Sequence, residues 1–259
     1  MLDDDQLSEF RDTGLLRLPG AIAPKDAAAM VERIWDHLHN HGAVRDRPDT
    51  WTAGPATGLR AVTGAPAFRA LGSTRVRAAL DDLLGVGCWQ EPRRWGRLLV
   101  TFPASDRLWT LPAGGAWHND FVPLRPGTPV RALQLFTILQ DVPARGGGTL
   151  VVTGSHHLVT RYSVETGKAP HPSQVRQALG AHVWLRELWE PAATTTPGQR
   201  IRRAMVEGVR IGDVDLRVVE LTGRAGDSFV MHCDTLHAAA PNAREEPRMM
   251  ATSIVQLRG

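Results

Sequence analysis

Within Trp117-His118-Asn119-Asp120-Phe121 an imidazole and a carboxylate lie two residues apart. On extended backbone, residues i and i+2 face the same side, so His118 and Asp120 converge on one point. Two ligands hold a metal poorly, and His237, in Asp234-Thr235-Leu236-His237, is the best third. Two histidines and one carboxylate on one face of an ion form a facial triad suited to Fe(II), with the opposite positions open. A lone His-x-Asp pair is common on surface strands, so its weight comes from the elements that position it.

Those elements read as strands. Residues 98–102, 130–139, 149–152, 216–221, 228–231 and 249–257 are short apolar runs separated by glycine and proline turns, among them Gly146-Gly147-Gly148 and Gly154-Ser155-His156. Such a pattern predicts a sandwich or barrel rather than an α/β sheet. The run 130–139 is apolar on both faces, as in a strand covered on both sides.

Residues 1–96 are mainly helical, with a short strand at Leu15 to Pro19. Gly14 stops a first helix, and Pro24 opens a second at a position where its missing N–H costs nothing. Ala27, Met30, Val31, Ile34 and Leu38 mark that helix's buried face. Arg75 to Leu84 reads as a third helix. One domain over 1–259 accounts for the length. Residues 159–214 form a long insertion, with a helix over Ser173 to Trp189 capped by Ser173 and a threonine-rich mobile loop over 191–199. Long insertions between core strands often cover a site, and a lid is expected here.

Composition excludes several classes. The chain has 259 residues, 42% of them apolar, and a net charge of +3. No apolar run reaches the roughly 20 residues that span a membrane. The acidic start, Met1-Leu2-Asp3-Asp4-Asp5, is no secretory signal, so a cytoplasmic protein with reduced Cys88 and Cys233 is expected. Of 30 basic residues only Lys25 and Lys168 are lysine. The arginines are scattered rather than striped with aromatics, which argues against nucleic acid. An anionic small molecule fits the mild positive balance at least as well. Arg93, Arg94 and Arg125 are candidates to meet such an anion, with solvated surface the better reading.

In order, the chain carries His118-x-Asp120, Gly147-Gly148-Thr149-Leu150-Val151-Val152-x-Gly154-Ser155-His156, Gly226-Asp227-Ser228-Phe229-Val230, His237 with Pro241-Asn242 after it, and Arg248. This series resembles the phytanoyl-CoA dioxygenase family of Fe(II)/2-oxoglutarate-dependent oxygenases, over residues 97–158 and 216–257. Glu9 to Gly14 and Leu18-Pro19-Gly20 are similar to the family's opening. Thr153 departs from it, standing where the family usually has proline. The resemblance implies a double-stranded β-helix (jelly-roll, cupin-like) core with helices outside. It also implies Fe(II) on His118, Asp120 and His237, with 2-oxoglutarate and O2 as co-substrates. By position, Arg248 and Thr149 fall on the family's co-substrate contacts, and His156 on a structural histidine.

Arginine suits the far carboxylate of a 2-oxo acid, because its planar fork gives two parallel hydrogen bonds. A hairpin after His237, turning at Pro241-Asn242, is expected to return Arg248 to the neighbouring strand. With Asp120 where a halogenase needs a vacancy, hydroxylation of a small molecule is the expected reaction, releasing succinate and CO2. Desaturation, epoxidation and cyclisation by the same oxidant remain alternatives, as does a non-catalytic jelly-roll binding module. Trp109 and Trp117 are candidates for the substrate pocket, although strand parity turns Trp117 and Asn119 away from the metal. His232 reads as packing. The alternating His37, His39 and His41 do not share one helix face and read as a polar helix end.

Overall fold

A computed structural model of the chain describes residues 1–52, 54–120 and 130–258. Phe121 and Arg125 lie outside the described residues. The strands are β1 (Leu15–Leu18), β2 (Gly54–Pro55), β3 (Trp89–Gln90), β4 (Arg97–Phe102), β5 (Ala132–Ile138), β6 (Thr149–Thr153), β7 (Val209–Ile211), β8 (Val214–Glu220), β9 (Ser228–His232), β10 (His237–Ala239) and β11 (Arg248–Leu257). The helices are α1 (Asp4–Thr13), α2 (Pro24–His39), α3 (Thr74–Leu84), α4 (Ser155–Thr166), α5 (Pro172–Leu179), α6 (Val183–Trp189) and α7 (Pro197–Ile201).

Two antiparallel sheets face each other, the jelly-roll arrangement expected from the resemblance. The larger runs β1-β9-β5-β11-β4-β2, with β3 added to β11, and the smaller runs β10-β6-β8-β7. Strand alternation sorts the side chains into three apolar layers. Outside the larger sheet, Leu133 and Leu135 of β5 and Met249 and Ala251 of β11 pack with Met30 and Ile34 of α2 and Leu80 of α3. Between the sheets lie Phe136, Ile138, Val151, Phe229 and Met250. Outside the smaller sheet, Leu150 and Val152 of β6 and Leu216 and Val218 of β8 meet Val175 of α5 and Leu185 of α6. Every residue of β5 is buried, as its two-faced apolar pattern predicts.

The N-terminal expectations hold. Gly14 caps α1 at φ +69°, and Pro24 occupies the first turn of α2. Three expectations need correction. Gly154 is followed by a helix rather than a plain turn, since Ser155 and His156 open α4. The helix expected over 173–189 is two, α5 and α6, interrupted after Leu179, and His171 rather than Ser173 stands at the N-cap. The threonine-rich stretch contains α7, because Thr196 and Gln199 form a reciprocal capping box. The insertion buttresses the smaller sheet. Its helices bury their apolar faces against the outer side of the smaller sheet, and none of residues 159–214 lines the cavity that holds the candidate triad.

Candidate metal and co-substrate site

The triad is assembled from an extended loop, which carries His118 and Asp120, and the start of β10, which carries His237. The backbone of His118 and that of His237 bond to each other in both directions, at 3.0 and 2.8 Å. This single bridge sits outside any longer ladder at residue 118, so the expected strand around His118 is an extended loop stitched to the start of β10. A second stitch, Asp120 N–H to Cys233 carbonyl at 3.2 Å, sets Asp120 beside the same partner segment. His118, Asp120 and His237 each offer a ligand atom within 4.8 Å of the others.

Each imidazole is oriented by its own neighbourhood. His118 Nδ1 lies 2.8 Å from the Ala116 carbonyl, and His237 Nδ1 lies 3.0 Å from the Thr235 carbonyl. Nδ1–H donation to a carbonyl leaves Nε2 as the free lone pair, the arrangement metal-binding histidines use. Burial holds His237 neutral, with its pKa pushed down to about 3. Burial raises the Asp120 carboxyl, against the pull of His118 and Arg97. Among the described residues, buried Asp120 Oδ2 has no hydrogen-bond partner. A buried carboxylate oxygen left bare is costly, and a divalent cation at the triad satisfies it. The donor set therefore fits Fe(II): two neutral nitrogens and one oxygen on one side.

The triad opens into a cavity of about 370 Å³ between the two sheets. Parity on β11 turns Arg248 and Thr252 into it while Met249 and Ala251 face the helices. Arg248 is only 5% exposed. It donates from Nη2 to Thr101 Oγ1 at 2.6 Å, and its Nε has no partner among the described residues. Burial lowers its pKa to about 10, so it stays cationic near neutrality. A buried guanidinium with a spare donor, in a cavity beside the triad, is a receptor for a carboxylate. Thr149, 5% exposed, lines the same cavity from β6. Gln134 of β5 also lines it, donating to Thr252 Oγ1 at 3.0 Å with Oε1 left unpartnered.

The route by which Arg248 arrives differs from expectation. β10 and β11 are not neighbours, because the intervening residues cross from the smaller sheet to the larger. Arg248 pairs with Thr101 of β4 and faces Thr149 and His237 across the gap. Two other expectations fail. Trp117 is fully buried in the layer under the insertion, its indole N–H donating to the Pro112 carbonyl at 3.0 Å. Trp109 packs against that same layer, and neither tryptophan lines the cavity. Residues i and i+1 on extended backbone face opposite ways, so a ligand at 118 sends Trp117 outward.

His156 and His232 are packing residues, as expected. His156 Nε2 donates to the Arg11 carbonyl at 3.0 Å, and His232 Nδ1 accepts from the Asp234 backbone at 3.1 Å. His232 ends β9 in the larger sheet, so the change of sheet separates it from His237. His37, His39 and His41 do not form a ligand cluster.

Sequence reasoning missed what holds the loop from outside. Asn119 donates to the Pro170 carbonyl at 2.7 Å, and Arg176 of α5 donates to the Trp117 carbonyl at 3.0 Å. Behind the other half, the carboxylate of buried Asp234 pairs with Arg131 and accepts from Thr160 Oγ1 at 3.0 Å. Both sets join residues far apart in sequence, where spacing gives no signal.

The model of the family described as phytanoyl-CoA dioxygenase (PhyH) matches residues 10–250. The chain belongs to that family. Membership makes it an enzyme of the non-haem iron, 2-oxoglutarate-dependent dioxygenase class. Solved structures agree on the fold. The epimerase SnoN, in complex with Fe3+, alpha ketoglutarate and nogalamycin RO, is 21% identical. The match covers 98% of this chain and 82% of SnoN at a TM-score of 0.56. HygX from Streptomyces hygroscopicus, with nickel and 2-oxoglutarate bound, is 16% identical over 99% of this chain and 87% of its own, also at 0.56. AviO1 from Streptomyces viridochromogenes Tue57 is 18% identical over 99% and 96%, at 0.57. No curated protein sequence matches the chain significantly. Among the described residues no helix is long and apolar enough to cross a membrane.

Proposed function

We propose that this enzyme hydroxylates an unactivated C–H bond of a small molecule, with 2-oxoglutarate converted to succinate and CO2. His118, Asp120 and His237 are the iron ligands, and Arg248 with Thr149 binds the far carboxylate of the 2-oxo acid. The observation that carries this reading is the bare, buried Asp120 Oδ2, in ligand reach of two imidazoles whose Nδ1 atoms are committed to carbonyls.

Iron(II) held there supplies dioxygen activation coupled to oxidation of the 2-oxo acid. The protein's own work is positional. The Ala116 and Thr235 carbonyls fix both imidazole tautomers, so Nε2 is the ligating atom without a proton shift. Thr101 holds the Arg248 fork, which gives the co-substrate one orientation between the sheets. Phe136 and Leu99 wall the cavity with apolar surface, which limits bulk water beside the reacting carbon. Asp120 occupies the ligand position that a halide needs, which favours hydroxylation over halogenation.

The decisive experiment adds Fe(II) and 2-oxoglutarate to the protein without oxygen. A visible metal-to-ligand charge-transfer band is expected in the wild type and is lost in His118→Ala. If the wild type gives no band, or if His118→Ala leaves iron binding unchanged, the assignment fails.

A further inference from the structure

The triad cavity continues into a wider basin of about 1140 Å³, and the two share Arg94, Gly96, Arg97, Leu99, Ala239 and Arg248. Arg60 and Arg93 also line the basin. Among the described residues lining either space, Asp120 is the sole carboxylate. None of Arg60, Arg93, Arg94 or Arg97 forms an ion pair with a described carboxylate.

Unpaired arginines occur elsewhere too, Arg69 and Arg75 among them, but those do not line a shared concave space, and other arginines are paired. Arg47 pairs with Asp49 at 2.8 Å and Arg45 with Glu32 at 2.6 Å. Even Glu91, two residues from Arg93, is taken by Arg77 at 2.5 Å and by the Trp95 indole. The residues outside the described set contain no Asp or Glu, so they hold no compensating acid. The charge count is also one-sided. A divalent cation, Asp120, a 2-oxo diacid and Arg248 sum to zero, which leaves four guanidinium groups over. A concave site lined by one sign of charge concentrates ligands of the opposite sign.

We propose that the substrate carries an anionic group, a carboxylate, sulfate or phosphate, received by Arg94 and Arg97 at the junction of basin and cavity. The rest of the molecule then extends to the triad. The inference rests on the iron-and-2-oxoglutarate reading given above and adds the substrate class. Arg94 and Arg97 are the best placed of the four, because both line the inner cavity as well as the basin. Arginine offers a carboxylate, sulfate or phosphate a planar pair of donors.

The test uses the full chain loaded with nickel in place of iron and saturated with 2-oxoglutarate, so that the co-substrate site is filled. Naphthoate, naphthalenesulfonate, naphthyl phosphate, naphthalenemethanol and naphthylmethylammonium are titrated by ligand-observed NMR. At least one anion is expected to bind about 10-fold or more tighter than the neutral and cationic probes, about one charge-assisted contact. That preference disappears in the Arg94→Ala/Arg97→Ala double variant, persists in Arg94→Lys/Arg97→Lys, and weakens in about 0.5 M salt. Which anion wins identifies the group. The proposal is overturned if no anion binds, if neutral or cationic probes bind equally well, or if the alanine variant only weakens 2-oxoglutarate. The anaerobic charge-transfer band of the wild type is read alongside. A missing band defeats the parent reading, whereas a band without anion preference defeats this one alone.

Discussion

His118 and His237, 119 positions apart in the chain, are each other's backbone partner, with N–H to carbonyl distances of 3.0 and 2.8 Å. Their rings stand 4.3 Å apart, centroid to centroid. The pairing makes ligand geometry a property of the main chain. Because the bridge forms as β10 joins the smaller sheet, two of the three candidate ligands are set by folding itself, before any metal binds. Asp120, two residues on, is then held by its backbone bond to Cys233. Such preorganisation keeps a site's ligands within a narrow geometry.

The first prediction concerns that third ligand. Asp120→Ala removes the oxygen and leaves two imidazoles, so iron affinity is expected to fall by about 100-fold or more and succinate production to cease. Asp120→Asn keeps the shape but loses the charge, and should bind iron more weakly than wild type yet better than the alanine variant. Equilibrium metal binding followed by competition with a chelator measures both.

Arg248 gives the second. Truncating one partner of a buried, hydrogen-bonded charge pair typically costs about 2–5 kcal/mol, so Arg248→Ala should raise the KM for 2-oxoglutarate about 30-fold or more. Arg248→Lys keeps the charge but offers no planar fork and should fall between. Thr101→Val removes the hydroxyl that accepts from Nη2 at 2.6 Å and should raise the same KM by roughly 5- to 10-fold, with little effect on iron affinity. Initial rates of 2-oxoglutarate decarboxylation at varied co-substrate decide the order.

How far these residues were legible in the sequence follows from how each is positioned. His118 and Asp120 are separated by a local spacing, and extended backbone converts that spacing directly into a shared face. β5 was legible because its apolar run is long and its burial complete. Arg248 was found through the family's order of motifs, but its route was not: Pro241-Asn242 signals a turn and does not say whether the chain stays in one sheet. β10 has three residues, too few for a periodic signal. The insertion's apolar residues announce that it packs on something, yet only the outward parity of Leu150, Val152, Leu216 and Val218 decides which surface. The indoles of Trp109 and Trp117 went the same way, drawn into that outer layer. Arg93 and Arg94 read as solvated surface ahead of an anion contact, because nothing local marks a residue as lining a concave site.

The third prediction tests the support behind the loop. Asp234 and Arg131 are 1% and 3% exposed. Asp234→Ala strips Arg131 of its carboxylate inside the protein and Thr160 of its acceptor. Loss of one member of a buried pair costs about 3–5 kcal/mol, and the denaturant midpoint should drop accordingly. The damage should reach the metal as well, because Cys233 and His237 flank Asp234 on the segment that seats the triad. An Asp234→Ala protein with unchanged stability and unchanged iron affinity would contradict the role given to this network.

The fourth prediction concerns acid sensitivity away from the metal. His156 is buried against His232 and His157, and burial first, then those neighbours, push its pKa from 6.5 down to about 3. In the unfolded chain it titrates near the ordinary value, so between about pH 6.5 and 3 the unfolded state holds the extra proton. Stability contributed by keeping this ring neutral is therefore complete above about pH 6.5 and declines as the pH falls toward 3. One such group steepens the decline by about 1.4 kcal/mol per pH unit. His156→Gln keeps a donor for the Arg11 carbonyl but cannot take up the proton. The variant should be less stable than wild type near pH 7.5 and lose less on going to about pH 5, a difference urea titrations at the two pH values measure directly. If both proteins show the same pH slope, the unfolded-state proton belongs elsewhere.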